Sequence, residues 1–285
     1  MKTYILNTAD YTFAPYSDGG FSGKLLLATA KTPDLPKLLI KSDNPSSACN
    51  EFMYSRLAEL ISVSAPKAYI MDIAESDKHL FGSPYVVGIE FLEGLQSFTL
   101  EEMRSSEESK AEYAAQYALA AMFDQADRVQ LMKSADGHII GFDFTETFWL
   151  SDLSPAAFRF SDDDLADIIA QRLLAHQRQN FCLMANAGAK VLQEHFALPG
   201  IQMVYPYYLA PMEMLRHLTE NQIVELTDVL CEIYSISIAV FYEEYITILK
   251  KEIAGYFKAI GYRPCKDEII PADSGAMEAN KQWKI

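Results

Sequence analysis

The feature that most restricts the fold is a change of hydrophobic period near Gly94. Before it, short apolar runs such as Lys24–Ala28 and Leu38–Lys41 are separated by clusters of Gly, Pro, Asp and Ser, the pattern of strands joined by turns. After it, apolar residues recur at helical spacing almost to the end. One helix interrupts the strand-rich part. It starts at Ser46 or Ser47, sets Phe52, Leu57, Leu60 and Ile61 on one buried face, and stops at Val63–Pro66, because proline disfavours helix in the residue before it. A chain with this order is an α+β protein with a small strand-rich unit followed by a larger helical one.

Tyr85–Leu92 reads as a buried strand closed by Gly94, and Thr99 with Glu102 forms a capping box that opens the helical part. The alanine- and aromatic-rich stretch from Ala111 to Phe123 predicts a buried helix. A small hairpin follows, with Val129–Lys133 and His138–Phe144 as its arms and Asp136-Gly137 as its turn. Ser161 caps a further helix whose first turn holds Asp162, Asp163 and Asp164, a placement that suits the helix dipole. Thr219 and Gln222 cap a long helix expected to run to about Ile248. Residues 205–208 read as an aromatic packing cluster, and 185–189 permits either close helix packing or a helix break. These readings divide the chain into a unit over 1–94, a unit over 95–261 containing the hairpin region 127–145, and a polar tail over 262–285.

The 285 residues carry a formal net charge of -15, which repels polyphosphate backbones and anionic lipid, so neither nucleic acid nor a membrane is an expected partner. Met1–Tyr16 lacks the basic and apolar regions of a leader, and the apolar segment over 236–249 is interrupted by Glu243 and Glu244. A cytoplasmic location is expected. Cys49, Cys182, Cys231 and Cys265 form no CxxC pair and read as free thiols, and the five histidines are not spaced as metal ligands.

Two groups of residues point to chemistry. Lys41 ends an apolar strand, where it either is a solvated terminus or reaches the phosphates of a nucleotide, and Glu51, ten residues on in the following helix, could hold its ammonium. The other group is Asp124 and Asp127 after a buried helix, then Gln130, then a hairpin ending in Asp143. Two carboxylates at one cleft edge meet the demand of phosphoryl transfer: one takes the proton of the attacking hydroxyl, and the other, with an amide oxygen, holds Mg2+.

With these residues in place the chain resembles the HipA-like kinases, a branch of the protein-kinase superfold. The matching pieces are Leu38–Lys41, Cys49–Ala58 leading to Val63–Pro66, Asp124–Arg128 and Gly141–Asp143, in order over roughly residues 15 to 150. The resemblance implies a two-lobed kinase-like fold, ATP and Mg2+ as cofactors, and a protein substrate or regulatory protein partner. It implies that Lys41 contacts the phosphates, that Glu51 orients it, that Asp127 is the catalytic aspartate beside Arg128, and that Asp143 is the metal ligand. Glu90, Phe91 and Leu92 would form the hinge that meets the adenine.

The chain departs from the family pattern at Gln125, where asparagine is usual, and at Val129; the asparagine that normally binds metal is missing, and Gln130 is the nearest amide to replace it. The loop over 17–24, with Gly19 and Gly20, either wraps phosphates or forms an ordinary hairpin. Three activities stay open: a serine/threonine kinase, a pseudokinase that acts as a binding or regulatory module, and a kinase of small cationic molecules.

Overall fold

The computed structural model describes residues 4–16, 25–41, 45–81, 85–125, 129–145, 147–148, 181–234 and 236–263. Its first part is a six-stranded sheet built from β1 (Ile5–Asn7), β2 (Tyr11–Pro15), β3 (Leu25–Ala30), β4 (Leu38–Lys41), β5 (Ala68–Asp72) and β6 (Tyr85–Glu90). The strand order is β1-β5-β6-β4-β3-β2, with β1 parallel to β5 and every other pair antiparallel. Alternation along β4 sends Leu38 and Ile40 into the core on one face, with Met71 and Val86, and leaves Lys41 on the opposite face. Gly88 in β6 permits this packing, since a Cβ there would lie 2.9 Å from Leu38 Cδ1 and 3.0 Å from Ile40 Cδ1.

Helix α1 (Pro45–Leu60) crosses the face that carries Lys41. A single buried stripe is not what the structure shows: residues 46 to 58 are all buried. The sheet lies on one side of α1 and the helical part on the other, and the polar residues of the helix find partners inside, although Arg56 Nε is left without one among the described residues. Ser55 Oγ donates to the Pro66 carbonyl at 2.8 Å and accepts from the Ala68 N–H at 2.9 Å. The Arg56 guanidinium bonds the Ala68 carbonyl and Glu59, and lies 4.6 Å from the ring centre of Tyr4 and 4.9 Å from that of Tyr69. The helix closes through Ser62, at φ +57°, with the Val63 N–H donating back to the Ala58 carbonyl.

The helical part contains α2 (Leu100–Arg104), α3 (Glu107–Met122), α4 (181–195), α5 (Tyr205–Tyr208), α6 (Ala210–His217), α7 (Glu220–Ile233) and α8 (Ile236–Ala259), with a hairpin of β7 (Gln130–Lys133) and β8 (Ile139–Phe142) after α3. The capping boxes at Thr99 and Thr219 form, and Gly137 takes the left-handed turn position at φ +99°. Segment 181–195 is a continuous helix, so the small residues there serve close packing: a Cβ on Gly188 would lie 2.6 Å from the Tyr208 hydroxyl.

The long helix expected from Thr219 to about Ile248 is instead two, α7 and α8, broken at Tyr234. The two helices pack on each other, burying Ile223, Leu226 and Leu230 of one and Phe241, Tyr242, Tyr245 and Leu249 of the other in a single core with α1. One straight helix of that length could not fold its halves together. The capped helix expected at Ser161 and the tail beyond Arg263 lie outside the described residues. Cys49, Cys182 and Cys231 are free thiols; Cys265 is outside the described residues.

Candidate functional site

The site forms where β4, α1 and the end of β8 meet. Lys41, the last residue of β4, sends its ammonium to two carboxylates: it donates to Glu51 Oε1 from α1 and, at 2.8 Å, to Asp143 Oδ1, which follows β8 and lies 102 residues away in sequence. The Lys41 and Glu51 side chains are 14% and 2% exposed, whereas that of Asp143 is 42% exposed. The geometry therefore has a buried pair at the back and an accessible carboxylate at the front.

Asp143 is held in a conformation that non-glycine residues rarely adopt, with φ +61°. Several bonds fix it. Its Oδ1 also accepts from Thr145 Oγ1 at 3.2 Å, and the next residue, Phe144, donates its N–H to Glu51 Oε1 at 3.1 Å. Gln125 Nε2 approaches the Asp143 carbonyl at 3.5 Å, and Gln125 Oε1 is buried with no donor among the described residues. Gln130 Nε2 lies 3.4 Å from Asp143 Oδ2.

The electrostatics follow from this geometry. Burial would lower the Lys41 pKa, but the pull of Glu51 and Asp143 outweighs it and holds the ammonium above its ordinary range. Burial pushes the Glu51 carboxyl up, and Lys41 reverses this only in part. Burial also opposes ionisation of Asp143, yet Lys41, with the bonds from Thr145 and Gln130, brings it below the usual carboxylate value. At neutral pH the front of the site is an ionised carboxylate beside a protonated lysine.

The residues suit a hard divalent cation. Among the described residues Asp143 Oδ2 is contacted by the long Gln130 amide alone, and a turn of that amide would present its oxygen, so the pair offers two oxygen donors on an accessible edge. At the end of β6, the N–H of Glu90 donates to the Lys67 carbonyl and that of Phe91 to the Lys37 carbonyl, both at 2.8 Å. Phe91 is set by an edge contact to Tyr16 at 5.5 Å and by Lys37, 4.7 Å over its ring; Lys37 in turn pairs with Glu93 at 2.8 Å. The chain then crosses to the hairpin, where Gln96 and Lys133 exchange backbone hydrogen bonds of 2.9 and 2.8 Å.

Of the residues singled out in the sequence, the structure brings Lys41, Glu51, Asp143 and Gln130 together, and places Glu90, Phe91 and Leu92 on the segment between the sheet and the helices. Asp127, Arg128, Gly19 and Gly20 lie outside the described residues. Sequence reasoning passed over Thr145, which bonds Asp143 locally, and Asn50, whose bond to the Thr145 carbonyl joins segments 95 residues apart. A second titratable group, Glu108, Glu112 and His138, sits where α3 meets the hairpin. His138 and Ile139 both donate to Glu112, which fastens the hairpin to the helix.

No protein-family description and no curated protein matches the chain. Among solved structures, a proinflammatory kinase, CtkA, from Helicobacter pylori superposes with a TM-score of 0.58 at 11% sequence identity, over 91% of this chain and 100% of that one. Among the described residues no helix is long and apolar enough to cross a membrane. At that identity the likeness speaks for architecture: the chain has a protein-kinase-like fold, a curled sheet with one helix joined to a larger helical part.

Proposed function

We propose that the protein is an ATP-dependent phosphotransferase of the HipA-like type, acting on a serine or threonine hydroxyl of a protein. The observation that carries this reading is the contact of Lys41 with both Glu51 and Asp143. Three side chains that phosphoryl transfer needs, from a strand, a helix and a hairpin end, meet at one point within a kinase-like fold. In this reading Lys41 neutralises phosphate oxygens and Glu51 keeps its ammonium aimed at them. Asp143 and Gln130 hold Mg2+, which when bound shields the charge on the transferred phosphoryl group. Asp127 accepts the hydroxyl proton. With the Glu90 and Phe91 donors already spent inside the fold, the base is met by Leu92 and the carbonyl groups of the same segment.

The pseudokinase reading has its own observation: Gln130 stands in place of an asparagine and turns its nitrogen toward Asp143. Calorimetry of the full chain with ATP, and transfer from γ-labelled ATP to itself or to a lysate, separates the two. The expected result is binding that strengthens with Mg2+ and disappears in Asp143→Ala, with labelling that disappears in Asp127→Asn. Mg2+-dependent binding without any labelling would favour the pseudokinase. A wild-type protein that binds no Mg-ATP would refute the phosphotransferase and leave the pseudokinase only as a protein-interaction module.

A further inference from the structure

The segment after Asp143 is gripped from behind by α1 and α8. The Tyr242 hydroxyl donates to Asn50 Oδ1 at 2.8 Å, Asn50 Nδ2 donates to the Thr145 carbonyl at 2.8 Å, and Thr145 Oγ1 donates to Asp143 Oδ1. Tyr242 and Asn50 are both fully buried, so water cannot take the place of either. Chemistry fixes the direction of the chain. The Thr145 carbonyl only accepts, so the Asn50 amide must face it with its NH2 and turn its own oxygen to Tyr242. Positions 50, 51 and 54 of α1 then act together: Asn50 holds Thr145, Glu51 holds the Phe144 N–H, and the Tyr54 ring stacks on Phe144 with 3.6 Å between centres and 9° between planes.

Asp143 needs such a hold. Its backbone is left-handed and its carboxylate is accessible, and on the open side the described residues offer it the long 3.4 Å contact of the Gln130 amide, a weak hold. We propose that Asn50 and Tyr242 are positioning residues that set the direction of the Asp143 carboxylate, and through it the metal affinity of the site, with α8 as the fixed support. This rests on the phosphotransferase reading, since it assumes that Asp143 binds the metal of Mg-ATP. Neither residue touches nucleotide or metal; both act through the peptide of Thr145.

The test is the Mg2+ concentration that half-saturates ATP binding, measured by calorimetry on the full chain beside thermal unfolding. Tyr242→Phe keeps the ring and removes one donor; Asn50→Leu removes the bond to Thr145. The expected result is a rise of about threefold in the first and about tenfold in the second, the range of one lost buried hydrogen bond, with ATP binding in the absence of Mg2+ unchanged. The double variant Asn50→Leu/Tyr242→Phe, which replaces both polar partners, should regain thermal stability relative to Asn50→Leu yet keep the raised Mg2+ requirement. Should Asn50→Leu fail to fold, Tyr242→Phe decides. Unchanged Mg2+ half-saturation in Tyr242→Phe, or a Mg2+ requirement that recovers with stability in the double variant, overturns the inference while leaving the phosphotransferase reading standing. A wild type that binds Mg-ATP no better than Asp143→Ala overturns both.

Discussion

Replacing Lys41 with methionine removes the one cation that Glu51 contacts among the described residues and leaves that carboxyl 2% exposed with the Phe144 N–H as its remaining bond among them. Breaking a buried pair from one side costs about 3–5 kcal/mol when the partner stays charged. Glu51 can escape by taking up a proton, and burial already pushes it in that direction. The sign follows from linkage. A carboxyl whose folded pKa lies above its unfolded value contributes stability that is fully present below the unfolded pKa, about 4.3, and is lost as pH rises through the folded one. In Lys41→Met the folded state therefore holds one more proton than the unfolded state across that window, and stability falls by up to about 1.4 kcal/mol per pH unit. Urea unfolding at pH 5, 6, 7 and 8 measures it. The variant should be close to wild type at pH 5 and progressively weaker by pH 8, and adding Glu51→Gln should flatten the slope. Equal destabilisation of Lys41→Met at pH 5 and pH 8 would show that Glu51 is not the buried group the structure describes.

Two more outcomes follow from packing and charge elsewhere. Gly188→Ala gains about 1 kcal/mol of helix propensity but puts a methyl 2.6 Å from the Tyr208 hydroxyl, which donates to the Ala185 carbonyl at 3.1 Å. Over-packing of about 1–3 kcal/mol plus the lost hydrogen bond should dominate, so thermal unfolding should come earlier, with Tyr208→Phe restoring part of the loss; a stabilised Gly188→Ala would refute the close contact. His138 is held above its ordinary pKa, first by its hydrogen bond to Glu112 and further by the charges of Glu112, Asp136 and Glu108. Its clasp to α3 is thus fully present below about pH 6.5 and lost as pH rises through the higher folded value. NMR titration should show His138 returning toward the free value in Glu112→Gln, and no change there would disprove the clasp.

The part of the site that was legible in the sequence is the part whose signals are local. Lys41 closes an apolar strand and Glu51 stands ten residues later on the next helix, so their meeting needed only a strand, a turn and a helix in the usual directions. Asp143 could be placed because a hairpin with a clear Asp136-Gly137 turn returns the chain to the end of α3. Other features lay beyond local reading. The break between α7 and α8 carries no proline or glycine to mark it; the β-branched, aromatic and serine residues around it weaken a helix without fixing where it ends, and tertiary packing decides where the chain folds back.

Helix α1 shows the same limit in a form that bears on function. Ser46, Ser47, Asn50, Glu51, Ser55 and Arg56 look like a solvated face by residue type, yet all six are buried. A polar side chain can sit there only if it meets a partner, and those partners come from far away: Asn50 is bonded to a tyrosine 192 residues on, and Glu51 to a backbone N–H 93 residues on. Composition records the cost of burying such groups but not the distant atoms that offset it. The buried polar face of α1 therefore marks where the strand-rich and helical parts are joined by hydrogen bonds as well as by apolar packing. The joint is the same set of residues that aims Asp143. Loosening it should disturb the docking of α1 and the direction of that carboxylate together, whereas an apolar substitution on the Leu57 side of the helix should weaken the fold without moving the carboxylate.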